Sequence, residues 1–249
     1  MKEIISVINQ KGGVGKSTTT AAVGAGLRKR GYRVLSIDLD AQENLSFIMG
    51  VSAPRRSALE VLTGEITAAE AIRHTEQGDI IPASTALANA DTMITATGKE
   101  YRLKEALEPL AGSYDYILID TPPALGILTV NALTASDSAL IPSQADALSL
   151  KGIGLLSQTI DAVRRYCNRG LTVRGIVLTR YNPRTIISHD MTELIDQTAA
   201  QLRTKLFKTT IRECTALKES QAVQQSIFDY APKSNATADY DALIDEILA

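Results

Sequence analysis

The chain has 249 residues, a formal net charge of −2, and a composition that is 45% hydrophobic and 22% charged. These values are typical of one globular α/β domain and exclude a disordered chain. No run approaches the roughly 18 apolar residues that span a bilayer. The apolar start of the chain lacks a small-residue cleavage site, so we expect a soluble, cytoplasmic protein.

The charge is distributed unevenly along the chain. Residues 151–218 contain twelve Lys and Arg against five Asp and Glu, a local excess of seven positive charges. The remainder therefore carries a net charge of −9, since the whole chain carries −2. Such asymmetry can indicate a surface that binds a polyanion.

Short β-branched runs alternate with longer helical patterns. This alternation predicts βαβ units and an α/β fold in which a mostly parallel, twisted sheet has helices on both faces. The predicted strands are residues 4–8, 34–38, 79–81, 116–120, 138–141 and 171–178. The predicted helices are residues 17–30, 58–62, 68–74, 101–110, 148–166, 188–205 and 236–248. No linker divides the chain, so we expect a single domain over residues 1–249, without an N-terminal extension that reads DNA.

A glycine-rich loop follows the first predicted strand directly. It departs from the common phosphate-loop pattern GxxxxGK[ST] only in that Gln10 occupies the first glycine position. Its main-chain N–H groups and the following helix N-terminus can surround a phosphate, Lys16 can reach the β- and γ-phosphates, and Ser17 can ligate Mg²⁺. The predicted ATP-binding residues are Lys11, Gly12, Gly13, Val14, Gly15, Lys16, Ser17 and Thr18. A glycine-rich turn that binds nothing is the alternative.

Two acidic motifs end later strands. Asp38 and Asp40 lie on the same side of the second strand, so one can contact the water shell of a metal while the other orients the attacking water. Capping of the next helix is the alternative role for this pair. Asp120 ends the apolar run 116–119, as in the Walker B pattern, whose Asp helps hold Mg²⁺.

These residues together resemble the ParA/MinD class of deviant-Walker ATPases, and most closely the short ParA-type, Soj-like partition proteins. The similarity covers nearly the whole chain and is carried by four blocks: NQKGGVGKST at 9–18, VLSIDLDAQENLS at 34–46, YDYILIDTPPALG at 114–126 and SIFDYAPKSNA at 226–236. The usual family block DxDPQGN is altered, because Ala41 and Glu43 replace its Pro and Gly.

The resemblance implies an ATP-dependent, Mg²⁺-dependent switch that hydrolyses ATP slowly. In this family Lys11 reaches across an ATP-bound homodimer to the partner's phosphates, where a cation offsets the facing charges. Asp40 is similar to the residue that positions the hydrolytic water, and Asp38 and Asp120 are similar to metal-shell ligands. Lys11, Lys16 and Asp40 are therefore the candidate catalytic residues, and Ser17, Asp38 and Asp120 the candidate metal ligands.

The resemblance also implies nonspecific binding to double-stranded DNA, association with the nucleoid in the ATP-bound state, and a ParB-type partner that stimulates hydrolysis. Arg184 matches a family position that contacts DNA, whereas Ala216 stands at a second such position. Four nearby cations can substitute for it: Lys205, Lys208, Arg212 and Lys218. A solvated basic face is the alternative for each of them.

Three other functions compete with this interpretation. A MinD-like membrane switch needs a basic amphipathic C-terminal helix, whereas residues 239–249 are acidic. An iron–sulfur carrier needs clustered cysteines, which Cys167 and Cys214 do not provide. A metabolic P-loop enzyme that phosphorylates a small acceptor, or couples ATP to ligation, would use the same Lys16, Ser17 and Asp120. The residues that contact adenine are open, with Asn182 and residues 230–233 as candidates.

Overall fold

The computed structural model of the chain describes residues 1–184 and 186–249, apart from the side chains at positions 186, 187, 189 and 201. Its strands are β1 (Glu3–Val7), β2 (Val34–Asp38), β3 (Arg73–Thr75), β4 (Gly78–Ile81), β5 (Tyr116–Asp120), β6 (Ser138–Ser143), β7 (Thr172–Tyr181) and β8 (Leu206–Arg212). Its helices are α1 (Lys16–Lys29), α2 (Asn44–Ile48), α3 (Ala58–Thr63), α4 (Ala68–Ala71), α5 (Ala90–Met93), α6 (Arg102–Leu107), α7 (Ile127–Ala135), α8 (Ala147–Tyr166), α9 (Ile186–Gln201), α10 (Thr215–Ala222), α11 (Ile227–Tyr230) and α12 (Asn235–Leu248).

In the described residues the strands form one eight-stranded sheet in the order β3-β4-β2-β5-β1-β6-β7-β8. Every pairing is parallel except that of β3 with β4. The carboxyl ends of the parallel strands therefore meet at one edge, where ligands bind in open α/β sheets. The predicted fold class is confirmed.

Helices cover both faces of the sheet. One face packs against α1, α11 and α12, and includes Leu118 with Phe228 and Leu243. The opposite face carries two clusters, one with α3, α6 and α7 and one with α8 and α9. This burial on both sides explains why the central strands are apolar at consecutive positions. None of the helices in the described chain is long and apolar enough to cross a membrane.

Most predicted elements are present, with shifted ends. Gly31 follows the end of α1 with φ 87°, and its N–H donates to the Arg28 carbonyl, which agrees with the predicted end of this helix at residue 30. The helix predicted at 68–74 is wrong in its second half, since α4 ends at Ala71 and β3 begins at Arg73. The helix predicted at 188–205 ends four residues earlier, and β8 was not predicted.

Candidate functional site

The loop between β1 and α1 forms an open cradle at the carboxyl edge of the sheet. Gly13 and Gly15 have φ values of 75° and 83°, in the left-handed region that favours glycine. No atom lies within 4 Å of where a Cβ on either residue would stand. Backbone conformation therefore explains these two glycines, and the space above the loop is free for a ligand. Gly15 is also the N-cap residue of α1.

Two buried side chains to which the sequence analysis assigned no role hold this loop. The Asn9 amide donates to the Pro142 carbonyl at 2.7 Å, and its oxygen accepts from the Lys11 N–H at 2.9 Å. The Thr179 hydroxyl, from β7, donates to the Val14 carbonyl at 2.8 Å. The bonds to Pro142 and from Thr179 join positions more than 130 residues apart, so local pattern does not reveal them.

Lys16 projects into the cradle and is only 7% exposed. Burial lowers the pKa of its ammonium, while the negative charges of Asp120 and Asp40 act in the opposite direction. Its Nζ lies 3.5 Å from the Lys11 carbonyl. The Lys16 ammonium is buried and makes only this long contact with a neutral carbonyl oxygen, so it can bind an anionic ligand strongly.

Asp120 is fully buried, and neither of its carboxylate oxygens has a hydrogen-bond partner among the described residues. Burial, followed by the neighbouring charge of Asp38, raises its pKa well above the usual range. Asp120 lies in register with Asp38 on β2 and with Val7 on β1. The Ser17 side chain and the positive charge of Lys16 act in the opposite direction, yet the pKa stays raised, so they do not offset the cost of burying this carboxylate. A further cation is needed, and the position fits a hard metal ion such as Mg²⁺.

Asp38 is also buried, but its oxygens are engaged. One accepts from the Ser46 N–H and hydroxyl at 2.8 and 2.7 Å, and the other accepts from the Asp40 N–H at 3.0 Å. Burial raises the pKa of Asp38 to about 6, although these hydrogen bonds act in the opposite direction. The Ser46 hydroxyl also accepts from the Ala83 N–H at 2.9 Å. Asp38 therefore ties α2 to the end of β2 as well as standing beside Asp120.

Asp40 lines the cleft and is 9% exposed. Its carboxylate accepts from the Gln42 N–H at 3.1 Å, which leaves acceptor positions for a water molecule. Glu43, at the family's glycine position, has φ 56° and is the N-cap residue of α2. A non-glycine residue in this region costs about 1 kcal/mol, so the departure from the family block places strain beside Asp40.

The cleft above the loop has a volume of about 620 Å³, within the roughly 300–1,000 Å³ of small-molecule sites. It brings together the predicted loop residues and Asp40. Its lining includes Gly12, Gly13, Gly15, Lys16, Ser17, Thr18, Asp40, Gln42, Asn44, Lys218 and Gln221. Val14 is fully buried and is not among the residues that line the cleft, so only its main chain can serve a ligand.

Lys11 belongs to the loop, but its ammonium does not face the cleft. It lies 2.6 Å from Asp146, 3.0 Å from the Gln144 side-chain oxygen and 3.3 Å from the Ser149 hydroxyl. Burial acts to raise the pKa of Asp146, but the hydrogen bonds from Lys11 and Ser149, together with the positive charge of Lys11, outweigh burial and lower that pKa. The Lys11 side chain is 25% exposed. Lys11 is therefore held at the surface, against the start of α8.

A second cavity continues from the cleft and shares Gly13, Gly15, Thr18, Lys218 and Gln221 with it. Its remaining walls include Thr179, Arg180, Glu213, Cys214 and Tyr240. Neither Asn182 nor residues 230–233 are among its lining residues. The sequence interpretation did not include these walls, because they come from the ends of β7 and β8 and from α12, where no motif marks them.

The five candidate DNA contacts do not form one compact group. Lys205 precedes β8 and Arg184 follows β7, so they lie towards opposite ends of two parallel strands. Lys208 is exposed on β8, whereas the Arg212 guanidinium binds both oxygens of Asp239 at 2.6–3.2 Å. Lys218 lines the cleft. Arg184, Lys205 and Lys208 remain exposed.

Comparison with known proteins places this geometry in a family. A family model described as an AAA domain matches residues 2–173. The chain is 37% identical over 254 residues to the sporulation initiation inhibitor protein Soj of Bacillus subtilis, covering 100% of this chain and 99% of Soj. It is 35% identical over 250 residues to the chromosome partitioning protein ParA of Myxococcus xanthus, covering 98% of this chain and 87% of ParA.

A solved structure shows the same fold. The cobyrinic acid a,c-diamide synthase from Mycobacterium smegmatis, with a bound ATP analog and magnesium, has a TM-score of 0.88 and 34% identity, covering 100% of this chain and 94% of that one. The family match includes the glycine-rich loop, Asp40 and Asp120, and the two curated relatives extend over the β7–β8 end as well. The chain therefore belongs to the ParA/Soj family of P-loop ATPases.

Proposed function

We propose that this protein is an ATP-dependent, dimerising switch that binds nonspecific DNA and hydrolyses ATP to segregate a DNA element with a ParB-type partner. The observation that carries the proposal is the separation of two lysines within one loop. Lys16 is buried in the cleft, whereas Lys11 is held outside it against Asp146. A second cation in the phosphate loop that does not face its own cleft suits a site completed by another subunit.

ATP with Mg²⁺ is the ligand that the cleft fits. The main-chain N–H groups of Gly12–Ser17 and the start of α1 bind the phosphates, and Lys16 neutralises the β- and γ-oxygens. Ser17 and Asp120 hold the metal, with Asp38 beside them. When bound, Mg²⁺ neutralises phosphate charge and polarises the phosphoryl oxygens. The unpartnered oxygens of Asp120 support this assignment.

Asp40 is the residue we assign to the attacking water. It lines the cleft with free acceptor capacity, so it can orient a water molecule and accept its proton as the water oxygen bonds to the γ-phosphorus. The bond between that phosphorus and the bridging oxygen breaks in the same step, and ADP leaves with this oxygen. Lys11 of the second subunit supplies positive charge where negative charge develops. Because Lys11 is bound to Asp146 in the single chain, dimerisation exchanges that partner for phosphate. Slow hydrolysis is expected until a partner protein favours this exchange.

Nonspecific DNA is the polyanion that we assign to the basic end of the sheet. Exposed Arg184 follows β7, and exposed Lys205 and Lys208 lie just before and within β8, in the region with a local excess of seven positive charges. We assign Arg212 to its ion pair with Asp239 instead. Phosphate contacts of this kind weaken steeply with salt. We further propose a cytoplasmic protein that associates with the nucleoid in its ATP-bound state.

ATP turnover and DNA binding together test the proposal. Turnover is measured with and without nonspecific duplex DNA and a ParB-type partner, and DNA binding with ATP, ADP and no nucleotide. We expect DNA binding only with ATP, and turnover that rises when both DNA and the partner are present. Equal DNA binding under all three nucleotide conditions, with turnover insensitive to DNA and partner, contradicts the proposal.

An enzyme that couples ATP to a synthesis reaction is the second candidate. It is favoured by the similarity to the structure named as cobyrinic acid a,c-diamide synthase. Such an enzyme must use ATP in proportion to a small-molecule product. Turnover that depends on an added small acceptor, and is indifferent to DNA, supports this candidate over the switch.

A further inference from the structure

Helix α10 is attached to the phosphate loop by a specific contact. The Gln221 side-chain amide donates to the Thr18 hydroxyl at 2.8 Å. Thr18 lies in the first turn of α1, directly after Lys16 and Ser17. This contact joins residues 203 positions apart in the chain. It makes α10 one wall of the cleft.

Lys218 lies three residues before Gln221, so both side chains occupy the same face of α10. It lines the cleft above the loop and also the second cavity beyond it. Its side chain is 71% exposed, and the described residues that line the cleft include only two cations, Lys16 and Lys218. Lys218 therefore stands at the junction of the two cavities, with most of its side chain open to solvent.

Glu213 restrains Lys218 from the neighbouring loop. The Lys218 Nζ lies 3.5 Å from a carboxylate oxygen of Glu213, and the same oxygen lies 3.1 Å from an Arg180 nitrogen. The hydrogen bond from Arg180, together with both positive charges, lowers the pKa of Glu213. One carboxylate thus faces two cations. The group keeps an excess positive charge beside the cleft.

We propose that Lys218 is a nucleotide-binding residue, contacting the nucleoside-side phosphates of bound ATP or ADP, and not a DNA contact. The inference rests on the proposed function of the cleft. A triphosphate held by the glycine-rich loop leads its nucleoside into the adjoining cavity, since that cavity shares the loop glycines. A residue at the junction then faces the phosphates that ATP and ADP have in common. Lys16, in contrast, contacts the β- and γ-phosphates at the other end of the triphosphate.

The test compares Lys218→Gln with Lys104→Gln, which removes the same charge from exposed α6, far from the cleft. Affinities for Mg-ATP and Mg-ADP are measured without DNA by titration calorimetry. We expect Lys218→Gln to weaken both nucleotides equally, by about fivefold, because one solvent-exposed charge contact is lost. Lys218→Arg keeps the charge and should stay within about twofold of the parent chain.

DNA binding is the second arm, measured with a saturating non-hydrolysable ATP analogue. Lys218→Gln should leave the salt dependence of DNA binding unchanged, whereas a lost phosphate contact lowers the slope of log K against log salt by about one. Glu213→Gln should have the opposite effect and strengthen the binding of ATP and ADP about twofold, because it removes the carboxylate that restrains the Lys218 ammonium. In the Lys218→Gln background this tightening should disappear.

Unchanged nucleotide affinity in Lys218→Gln, or a lowered DNA salt slope, overturns the inference. A loss confined to ATP overturns it too, since it would place Lys218 at the terminal phosphate. If the parent chain itself binds neither nucleotide, the proposed function fails together with the inference. If the parent chain binds both nucleotides and Lys218→Gln binds them as tightly as the control Lys104→Gln does, the inference alone fails.

Discussion

Two ends of one sheet differ in how their charges are held. At the carboxyl ends of β2 and β5, Asp38 and Asp120 are buried side by side, with raised pKa values. At the β7–β8 end, Arg184, Lys205 and Lys208 are exposed. The first arrangement is unfavourable until a cation arrives, whereas the second costs little in water.

This difference shows for which charged residues the local sequence is enough to assign a function. A buried carboxylate at the end of an apolar strand has few roles open to it, so its motif indicates a chemistry. An exposed lysine can have many roles, and its position in the sequence shows that a positive charge is present but not which partner it binds. Lys218 illustrates this, because the basic stretch suggested DNA, while the structure places Lys218 beside the glycine-rich loop.

The largest expected effect tests the buried end. Asp40→Asn removes the charge but retains an oxygen that can accept from the Gln42 N–H. We expect ATP turnover to fall by about 10²–10⁴-fold, the usual worth of a general base. Affinity for ATP should persist, because Lys16 and the loop are untouched. Steady-state turnover and equilibrium binding check both parts, and turnover within twofold of the parent contradicts the role of Asp40.

Asp120→Asn tests the buried carboxylates through the folding stability of the nucleotide-free chain. A raised folded-state pKa means that the folded chain binds a proton more tightly than the unfolded chain, so stability falls as pH rises through the acidic range. Asn keeps the shape of the side chain and removes its buried charge. We therefore expect the nucleotide-free variant to be more stable than the parent by about 1–3 kcal/mol at pH 7.5.

Thermal or urea unfolding at several pH values measures this effect. The difference should shrink as the pH falls, because the raised pKa of the parent Asp120 lets the folded chain take up a proton before the unfolded chain does. Added Mg-ATP should stabilise the parent more than the variant. A variant that is less stable than the parent at pH 7.5 contradicts the interpretation of Asp120 as an unpaired carboxylate.

Asp146→Asn tests the contact that holds Lys11. Asp146 is also the N-cap of α8, accepting from the Ser149 N–H at 2.8 Å, and Asn can retain that cap. Loss of the ion pair frees Lys11, so ATP-bound dimers should form at a several-fold lower protein concentration, an effect of about 1 kcal/mol. Sedimentation over a concentration series measures it. A weaker dimer contradicts the view that Asp146 competes with the second subunit.

The smallest effect is expected at the exposed end. Arg184→Gln should weaken ATP-dependent DNA binding about two- to threefold and lower its salt slope by about one. Lys104→Gln is the matched control from a different surface, and it should leave both quantities unchanged. Equal behaviour of the two variants in a salt titration removes Arg184 from the DNA surface.

The sequence predicted the central strands and α1 well, because apolar runs and the glycine-rich loop mark them locally. It did not predict α7, whose residues are buried around the whole helix apart from Val130, so that no amphipathic period appears. It also did not predict β8, an edge strand of mixed polarity. The carboxylate of Glu246 on α12 accepts from the β8 main chain at Lys208 and Thr209, a contact far apart in sequence.

The residues of the candidate site likewise fall into those that the sequence predicted and those that it did not. Lys16, Ser17 and Asp40 line one cleft, as their motifs suggested. Asn9, Thr179 and Gln221 hold the loop through bonds that join distant parts of the chain. Such long-range contacts follow from the strand order, which a single sequence does not contain.

The most direct measurement concerns Lys11. The parent chain and Lys11→Ala are compared by sedimentation with a non-hydrolysable ATP analogue and Mg²⁺, while nucleotide binding is followed in the same samples. We predict that both bind the analogue and that only the parent forms dimers, because Lys11 acts across the subunit boundary. Dimers of Lys11→Ala at the same concentration as those of the parent would contradict the account.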